Sequence, residues 1–373
     1  MKIGILTLPQ ETNYGGILQA FALQRVLRNM GHDVLTIDRH NRREYPSFGR
    51  HIAGYLKRLA QHYLQGKKSV SVKWNPFLSS EEYDRVSKDT QRFIDRNIRL
   101  TRRVFSDQLA EIDKEYLFDA YVVGSDQVWL DNYCPESFLS FVSRTGVKKV
   151  VYAASCGKRS FFDNPSKLKI CRELVKDFNG VSVREEHLVK LCKERLGIDA
   201  QWVLDPTMLL TPDDYIGVSE PAAGDEPVLF SYILDSSGDK DSIVQSLAKM
   251  LNVPVVNGNR AGAAVTGKDK SFPTVDAWLR NMSRARFVVT DSFHGTVFSI
   301  LFNKPFVTIG NARRGMARFQ SLLGRFGLQS RLIDPESSDY MQIAGEPIDF
   351  SRVNEIIASD RVKSLSFIEK ALN

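Results

Sequence analysis

Short β-rich runs alternate with helical patterns along almost the whole chain, and this alternation constrains the fold more than any other feature. The predicted strands are 2–8, 34–38, 120–124, 149–153, 180–183, 201–204, 228–234, 253–256, 286–290 and 305–309. Helical periodicity is found in 16–30, 166–178, 185–196, 239–251, 274–283, 295–302, 316–326 and 353–372. Such alternation is typical of α/β proteins, in which right-handed helical crossovers join parallel strands.

The length of 373 residues predicts two domains, because a domain usually holds about 150 residues. A break follows Asp205, where Thr211-Pro212-Asp213-Asp214 begins a new helix and 219–227 is rich in turn residues. We therefore predict two Rossmann-like domains, 1–208 and 209–373, which face each other across a cleft. The last predicted helix can pack back on the first domain, although the sequence does not place it.

Composition and charge favour a cytoplasmic protein. No run of about 18 apolar residues occurs, the start is apolar for too short a stretch to be a signal peptide, and the four cysteines lack metal-ligand spacing. The net charge of +7 is concentrated in 39–73, where nine basic residues and one acid are interleaved with apolar side chains. This pattern suits a peripheral contact with the anionic inner face of a membrane, or a solvated basic face. We expect no nucleic acid partner.

The uncommon polar residues follow strand ends, which is where open α/β sheets bind their ligands. Those in the first domain are Asn13, Tyr14, Gly15 and Gly16 after 2–8, Ser125, Asp126 and Gln127 after 120–124, Ser155 after 149–153, and Arg184 after 180–183. The glycine loop lacks both GxGxxG and the Walker lysine, so it is weak support for a nucleotide. We expect these residues to bind substrate.

The strongest single segment is 287–296, in which a buried strand leads through a tight turn into an apolar helix. Asp291 or Ser292 can cap this helix, and the free N–H groups of its first turn form an anion pocket. Gly295 lets a ligand approach the backbone, and His294 is placed to contact such a ligand. The alternative is a structural cap beside a buried histidine.

A basic turn follows the strand 305–309. It contains Arg313, Arg314 and, four residues further on, Arg318. Guanidinium groups beside a glycine suit bidentate binding of phosphate or carboxylate, whereas a solvated turn is the alternative. Arg184 differs because it ends an apolar strand, where an unpaired charge is costly; a salt bridge to Glu185 or another acid is its structural explanation.

Taken together, these segments resemble the polysaccharide pyruvyl transferase family. The segments that carry the resemblance are Asn13-Tyr14-Gly15-Gly16-Ile17-Leu18-Gln19, Gly124-Ser125-Asp126-Gln127-Val128-Trp129, Tyr152-Ala153-Ala154-Ser155, Ser182-Val183-Arg184-Glu185, Leu204-Asp205-Pro206-Thr207 and Thr290-Asp291-Ser292-Phe293-His294-Gly295-Thr296. They occur in order over roughly residues 1–331, which makes the match specific although each segment alone is weak.

The resemblance implies a fold like the two-domain glycosyltransferases of the B type. It also implies transfer of pyruvate from phosphoenolpyruvate to two hydroxyls of a sugar, with formation of a cyclic ketal. Arg184, His294 and either Arg313 or Arg314 are the residues that the resemblance assigns to the donor. We expect His294 to act in acid/base catalysis, and Asp291 and Asp126 are rival bases. The donor is the substrate, and no metal or cofactor is expected.

The acceptor is expected to be a sugar of a cell-surface polysaccharide or of its lipid-linked precursor. Two other functions compete with this interpretation. A nucleotide-sugar-dependent glycosyltransferase would use the same helix end for its diphosphate. A non-catalytic protein that binds anionic polymers would instead use the basic stretch 39–73.

Overall fold

The structure is a computed structural model. It describes residues 1–10, 12–40, 59–60, 80–157, 164–220, 226–258, 273–311, 315–337 and 339–373, with 80–86 described at the level of the backbone. Of the basic stretch 39–73, only residues 39, 40, 59 and 60 lie within these ranges. Arg313 and Arg314 lie outside them.

The first domain is built on a six-stranded parallel sheet with the order β2-β1-β5-β6-β7-β8. Its strands are β1 (Lys2–Leu6), β2 (Asp33–Thr36), β5 (Ala120–Val123), β6 (Lys148–Ala154), β7 (Gly180–Val183) and β8 (Gln201–Trp202), and β3 (Arg39–His40) pairs with β4 (Val104–Phe105) in a separate two-stranded sheet. Its helices are α1 (Tyr14–Asn29), α2 (Ser80–Asn97), α3 (Leu109–Tyr116), α4 (Pro165–Leu174) and α5 (Glu186–Leu191).

The second domain is built on a five-stranded parallel sheet with the order β10-β9-β11-β12-β13. Its strands are β9 (Val228–Tyr232), β10 (Val255–Asn257), β11 (Ala285–Thr290), β12 (Phe306–Ile309) and β13 (Leu332–Ile333). The helices are α6 (Pro212–Ile216), α7 (Gly238–Leu251), α8 (Val275–Arg284), α9 (Phe293–Leu301), α10 (Met316–Arg325), α11 (Tyr340–Gly345) and α12 (Phe350–Leu372).

Two parallel sheets with helical crossovers confirm the predicted Rossmann-like α/β class. The strand ends differ from the predicted ones by at most two residues. The helices Ser80–Asn97, Leu109–Tyr116 and Tyr340–Gly345 and the short strands β3, β4 and β13 were not predicted. The helical prediction 185–196 is divided into α5 and a π-helical turn at Cys192–Leu196. Local periodicity found most of the long elements but not the 18-residue helix Ser80–Asn97, and the two-residue strands β3, β4 and β13 carry too little pattern to detect.

The last helix, α12, packs on the sheet of the first domain. The Ser364 hydroxyl accepts a hydrogen bond from the Leu204 N–H at 3.0 Å, and the Lys148 ammonium donates to the Leu372 carbonyl at 2.8 Å. Gly180 on β7 lies so close that an added Cβ would be 2.7 Å from the Ala371 Cβ. This helix therefore joins the end of the chain to the first sheet.

One hydrophobic cluster continues from the first sheet into the second. It includes Ile5 on β1, Leu18 on α1, Phe298 on α9 and Trp278 on α8, all almost fully buried. Apolar contact of this extent holds the two domains side by side and places the carboxyl ends of both sheets near each other. No helix in the described part of the chain has the length and apolar character needed to span a bilayer.

Candidate functional site

The carboxyl ends of the two sheets supply the residues of a buried, charged cluster between the domains. Arg184 directly follows β7, Ser125 and Asp126 follow β5, and His294 lies in the first turn of α9, beyond β11. Because strands of a parallel sheet all end at the same edge, residues distant in sequence meet there.

Arg184 is the centre of this cluster. Its side chain is 1% exposed, and it donates from Nη1 to Asp205 Oδ2 at 2.8 Å, from Nε to Glu185 Oε1 at 3.0 Å and from Nη2 to Asp126 Oδ1 at 3.3 Å. The guanidinium carbon lies 4.2 Å from the centroid of the Phe293 ring. Burial by itself lowers the pKa of Arg184, but the three carboxylates outweigh burial and raise it.

These contacts change the role expected for Arg184. Its donors are directed at protein carboxylates, so in this arrangement the guanidinium is not presented to a substrate anion. The sequence offered a salt bridge to Glu185 as the structural explanation of Arg184. This salt bridge is present, together with those to Asp126 and Asp205. Arg184 therefore fixes the positions of Asp126 and Asp205.

Asp205 joins the two domains, and the sequence motifs did not single it out as a site residue. Its Oδ2 lies 3.7 Å from His294 Nε2, and its Oδ1 accepts hydrogen bonds from the Thr207 N–H at 3.0 Å and the Thr207 hydroxyl at 2.7 Å. Burial by itself raises the pKa of Asp205, but His294, Arg184 and the Thr207 N–H hold it well below its usual range. The only sequence signal was its place in Leu204-Asp205-Pro206-Thr207, where it also resembles a simple helix cap.

His294 packs directly against the start of α1. A Cβ added to Gly15 would lie 2.0 Å from His294 Nδ1 and 2.3 Å from its Cγ, so only glycine fits here. His294 is 5% exposed, and its Nε2 has no hydrogen-bond partner within the described ranges. The N-termini of α1 and α9 thus meet at this histidine, and both helix dipoles contribute positive potential there.

Asp126 has left-handed backbone geometry, with φ of 71°. This conformation is uncommon for a residue other than glycine and is tolerated best by Asp and Asn. Asn13 directs its Nδ2 at Asp126 Oδ2, 3.5 Å away, and does not cap α1. Burial by itself raises the pKa of Asp126, but Arg184, His294 and Arg318 outweigh it and lower this pKa.

Arg318 on α10 completes the described part of the cluster. It is 6% exposed, and its guanidinium carbon lies 5.5 Å from the centroid of the Phe293 ring. Phe293 is therefore close to both Arg184 and Arg318, and cation–π attraction stabilises the positions of both guanidiniums. In the sequence Arg318 belongs to the same basic turn as Arg313 and Arg314. Those two arginines lie outside the described residues, which end at Asn311 and resume at Gly315.

The loops after β5 and β6 contact the second domain. The Ser155 N–H donates to the Asp126 carbonyl at 3.0 Å, and the Ser155 hydroxyl accepts from the Gly157 N–H at 3.1 Å. An added Cβ on Gly157 would be 2.7 Å from the Gln127 side chain, and one on Gly315 would be 1.9 Å from the Gly157 carbonyl oxygen. Ser155 and Gln127 thus pack in the loops that support Asp126.

Ser125 is held inside the cluster. Its hydroxyl donates to the Ala153 carbonyl at 2.8 Å and to Asp205 Oδ2 at 3.2 Å.

Asp291 is not brought to this cluster. It is fully buried inside the second domain, where it accepts from the Leu234 N–H at 2.6 Å, the Asp235 N–H at 3.1 Å and the Lys240 ammonium at 2.6 Å. Asn311 adds a hydrogen bond at 3.3 Å. This geometry does not favour the expected role of Asp291 as a catalytic base, because its oxygens already bind four protein donors.

Ser292 is the cap of α9, and its hydroxyl accepts from the Gly295 N–H at 3.3 Å. An added Cβ on Gly295 would be 2.2 Å from the Thr290 hydroxyl oxygen, so the glycine serves helix–strand packing and not a ligand contact. Phe293 and His294 occupy the first helical positions, whose N–H groups have no acceptor within the helix. The backbone donors available to an anion at this helix end are therefore the N–H groups of Phe293 and His294.

Tyr14 belongs to the core between the domains. Its hydroxyl donates to the Pro273 carbonyl at 2.6 Å, and its ring stacks on Trp278 with centroids 5.9 Å apart. Only 1% of Tyr14 is exposed, so in this geometry it packs in the core and does not have the substrate-binding position predicted from the sequence. Gly16 lies behind it, next to the Asn13 side chain.

The fold and the site define a class: an α/β protein of two Rossmann-like units with a buried cluster of opposite charges between them. The family model for polysaccharide pyruvyl transferase matches residues 13–313 of this chain. This range includes every described residue of the cluster except Arg318. The chain therefore belongs to the polysaccharide pyruvyl transferase family, and with it to the transferases. No curated protein matches the chain in sequence.

Solved structures with similar folds include two UDP-GlcNAc 2-epimerases and a forosaminyltransferase, all of low sequence identity. UDP-GlcNAc 2-epimerase from Neisseria meningitidis bound to UDP-GlcNAc has 9% identity and a TM-score of 0.49, with 97% of this chain and 100% of that chain covered. The epimerase from Methanocaldococcus jannaschii with UDP-GlcNAc and UDP has 12% identity, a TM-score of 0.49 and coverage of 96% and 99%. Spinosyn forosaminyltransferase SpnP has 12% identity, a TM-score of 0.43 and coverage of 99% and 95%.

Proposed function

We propose that this protein transfers pyruvate from phosphoenolpyruvate to two hydroxyls of a sugar in a cell-surface polysaccharide or its lipid-linked precursor, forming a cyclic ketal. Family membership supports pyruvyl transfer to a polysaccharide. The observation that carries the proposal for the site is the contact of His294 with Asp205 at 3.7 Å, across the two domains.

His294 is the proposed general acid. The Asp205 carboxylate lies 3.7 Å from His294 Nε2, and His294, Arg184 and the Thr207 N–H outweigh burial and hold the pKa of Asp205 well below its usual range. Protonation of the methylene carbon of phosphoenolpyruvate makes C2 electrophilic. A sugar hydroxyl then bonds to C2 and gives up its proton. The C2–O bond to phosphate breaks and phosphate leaves. The second hydroxyl then bonds to C2 and gives up its proton to the departed phosphate, which closes the ketal.

The donor anions require cations other than Arg184. We assign this role to Arg313 and Arg314, together with the first amides of α9. Arg318 adds positive charge beside Phe293. If His294 is protonated, the cations Arg184, Arg318 and His294 balance the carboxylates Asp126, Asp205 and Glu185, so the described cluster alone has no surplus to attract phosphoenolpyruvate. Additional arginines would supply that surplus.

Asp126 is the proposed base for the acceptor hydroxyl. Its pKa is lowered in this cluster, so it is ionised at neutral pH. It is also less completely enclosed than Asp205, with 6% of the residue exposed against 3%. Asp291 is excluded from this role by its four donors in the second domain.

The charge of the second domain argues against a nucleotide sugar. In a Rossmann-like domain the loop after the first strand usually approaches the phosphates. Here the loop between β9 and α7 and the first turn of α7 carry Asp235, Asp239 and Asp241. Lys240, the cation nearest to them in sequence, is bound to Asp291 at 2.6 Å. These acids would repel a diphosphate.

Ligand-dependent thermal unfolding tests the proposal. We expect phosphoenolpyruvate to raise the melting temperature, and UDP-N-acetylglucosamine to leave it unchanged. In the presence of acceptor, His294→Ala should decrease the rate of phosphate release from phosphoenolpyruvate by roughly 10²- to 10⁴-fold. His32→Ala, a histidine beside the N-terminus of the chain, is the control. If only the nucleotide sugar raises the melting temperature, the proposal of pyruvyl transfer is refuted and glycosyl transfer is favoured instead.

We also propose a cytoplasmic location, with the stretch 39–73 attracted to the anionic inner face of the membrane. Its nine basic residues against one acid support this. Flotation with anionic liposomes should decrease between low and high salt, because surface charge attraction is screened. Flotation that does not depend on salt, or none with anionic lipid, would contradict it.

A further inference from the structure

Arg39 is a buried cation outside the cluster between the domains. Only 4% of it is exposed, although it begins the basic stretch. Its Nε donates to the Ser106 hydroxyl at 3.0 Å, and its guanidinium carbon lies 5.1 Å from the centroid of the Tyr133 ring. Within the ranges that the structure describes, no carboxylate forms an ion pair with it and neither Nη group donates a hydrogen bond.

Among the described residues no carboxylate pairs directly with this buried charge, although the negative charge of Glu136 acts on it. Burial lowers the pKa of Arg39, although Glu136 and Tyr133 oppose the effect, and an arginine remains protonated at neutral pH. A buried charge that is not paired is costly, so such residues are usually neutralised by a partner or a ligand. Asp38, one residue earlier in the chain, is occupied by His40 at 2.7 Å and approached by Arg103 at 3.6 Å.

The remaining donors have a defined geometry. Ser106 accepts from Nε, Tyr133 covers one face of the guanidinium, and Nη1 and Nη2 form a planar fork that no described residue binds. A fork of two N–H groups matches the two oxygens of a carboxylate or phosphate.

The position of Arg39 relates it to the proposed catalytic site. Arg39 follows β2, and Tyr133 lies in the loop after β5, seven residues beyond Asp126. In the first sheet β2 and β5 flank β1, so their carboxyl ends are separated by about 10 Å at the usual spacing of about 4.8 Å per strand. A group one or two units along a saccharide from the reacting hydroxyls spans this distance.

We propose that Arg39 binds an acidic group of the saccharide acceptor, a carboxylate or a phosphate, at a subsite beside the pyruvylation site. The acceptor assignment rests on the proposed function. The anion site itself rests on the Arg39, Ser106 and Tyr133 contacts.

Calorimetric titration with three small probes tests the subsite. Methyl glucuronide supplies a carboxylate, glucose 1-phosphate supplies a phosphate, and methyl glucoside is the neutral control. We expect one of the two anions to bind the wild type and to bind Arg39→Gln roughly 10- to 100-fold more weakly, because a charge-assisted pair of hydrogen bonds is lost. Arg103→Gln, which removes a neighbouring exposed arginine, should bind like the wild type. Glu136→Gln should bind more tightly, because an opposing negative charge is removed.

The anion that binds identifies the source of the acidic group. Equal affinity of the wild type and Arg39→Gln, or no binding of either anion to the wild type, would overturn the subsite. Arg39→Lys keeps the charge without the fork and should also bind more weakly, so it decides the question if Arg39→Gln does not fold. Phosphoenolpyruvate is titrated separately. If it fails to bind while Arg39 still governs anion binding, the proposed function fails and the anion site remains.

Discussion

Gly15→Ala is the perturbation whose effect follows most directly from the structure. Gly15 is the second residue of α1, and a Cβ there would lie 2.0 Å from His294 Nδ1. Carbon and nitrogen atoms that are not bonded approach to about 3.5 Å, so the imidazole must retreat by roughly 1.5 Å. His294 Nε2, now 3.7 Å from Asp205, would then leave its position between the domains.

We expect this substitution to decrease phosphate release by roughly 100-fold, because a displacement of about 1 Å in a reacting group has an effect of that size. The free energy of unfolding should change less. Alanine favours the helix by about 1 kcal/mol over glycine, whereas overpacking costs about 1–3 kcal/mol. Urea unfolding should therefore show a net loss of about 0–2 kcal/mol.

Gly238→Ala is the matched control. Gly238 begins α7, and an added Cβ there meets nothing within 4 Å. This variant should keep full activity and equal or greater stability. If Gly15→Ala releases phosphate at the wild-type rate, the position of His294 does not limit the reaction and the reasoning from this contact is refuted.

Three further predictions concern the buried charges. Arg184→Gln leaves Asp126, Asp205 and Glu185 without their shared cation and should lower the free energy of unfolding by about 3–5 kcal/mol in urea titrations; a loss below 1 kcal/mol would contradict the pairing. Because the pKa of Asp205 is lowered in the folded protein, its stabilisation is complete above its unfolded pKa of about 3.9 and is lost as the pH falls through the folded pKa. Asp205→Asn should therefore flatten the decrease in unfolding free energy below about pH 4, and an unchanged slope in acid would reject this assignment. Asp291→Ala leaves the Lys240 ammonium and the Leu234 and Asp235 N–H groups unpaired, so amide hydrogen exchange at 234–235 should accelerate while exchange near Asp126 stays constant.

The sequence located the site through strand ends. Arg184 and Asp126 were expected at one edge of the first sheet and His294 at the edge of the second, and the structure brings these three within one charged cluster. Asp205 was quoted only as part of a motif, because an aspartate before proline and threonine has the pattern of a helix cap. It is a cap for Thr207 as well as the link to His294.

Glycine roles were harder to assign. Gly295 was expected to allow a ligand to approach, yet Thr290 fills the space in front of it, whereas Gly15 was grouped with a substrate loop and instead makes room for His294. A glycine in a sequence indicates a close approach but not the identity of the approaching group. Only the packed structure identifies that group.

The sequence by itself determined the α/β class, most strand positions and the edge of each sheet at which polar residues gather. These properties follow from side-chain periodicity and from the common direction of parallel strands, which are local. Tertiary structure alone decided that Arg184 is paired with three carboxylates, that Asp291 binds Lys240 and that Arg39 is buried beneath Ser106 and Tyr133. Partner choice depends on which groups share a low-dielectric space, and residues far apart in the chain enter that space only when the domains pack together.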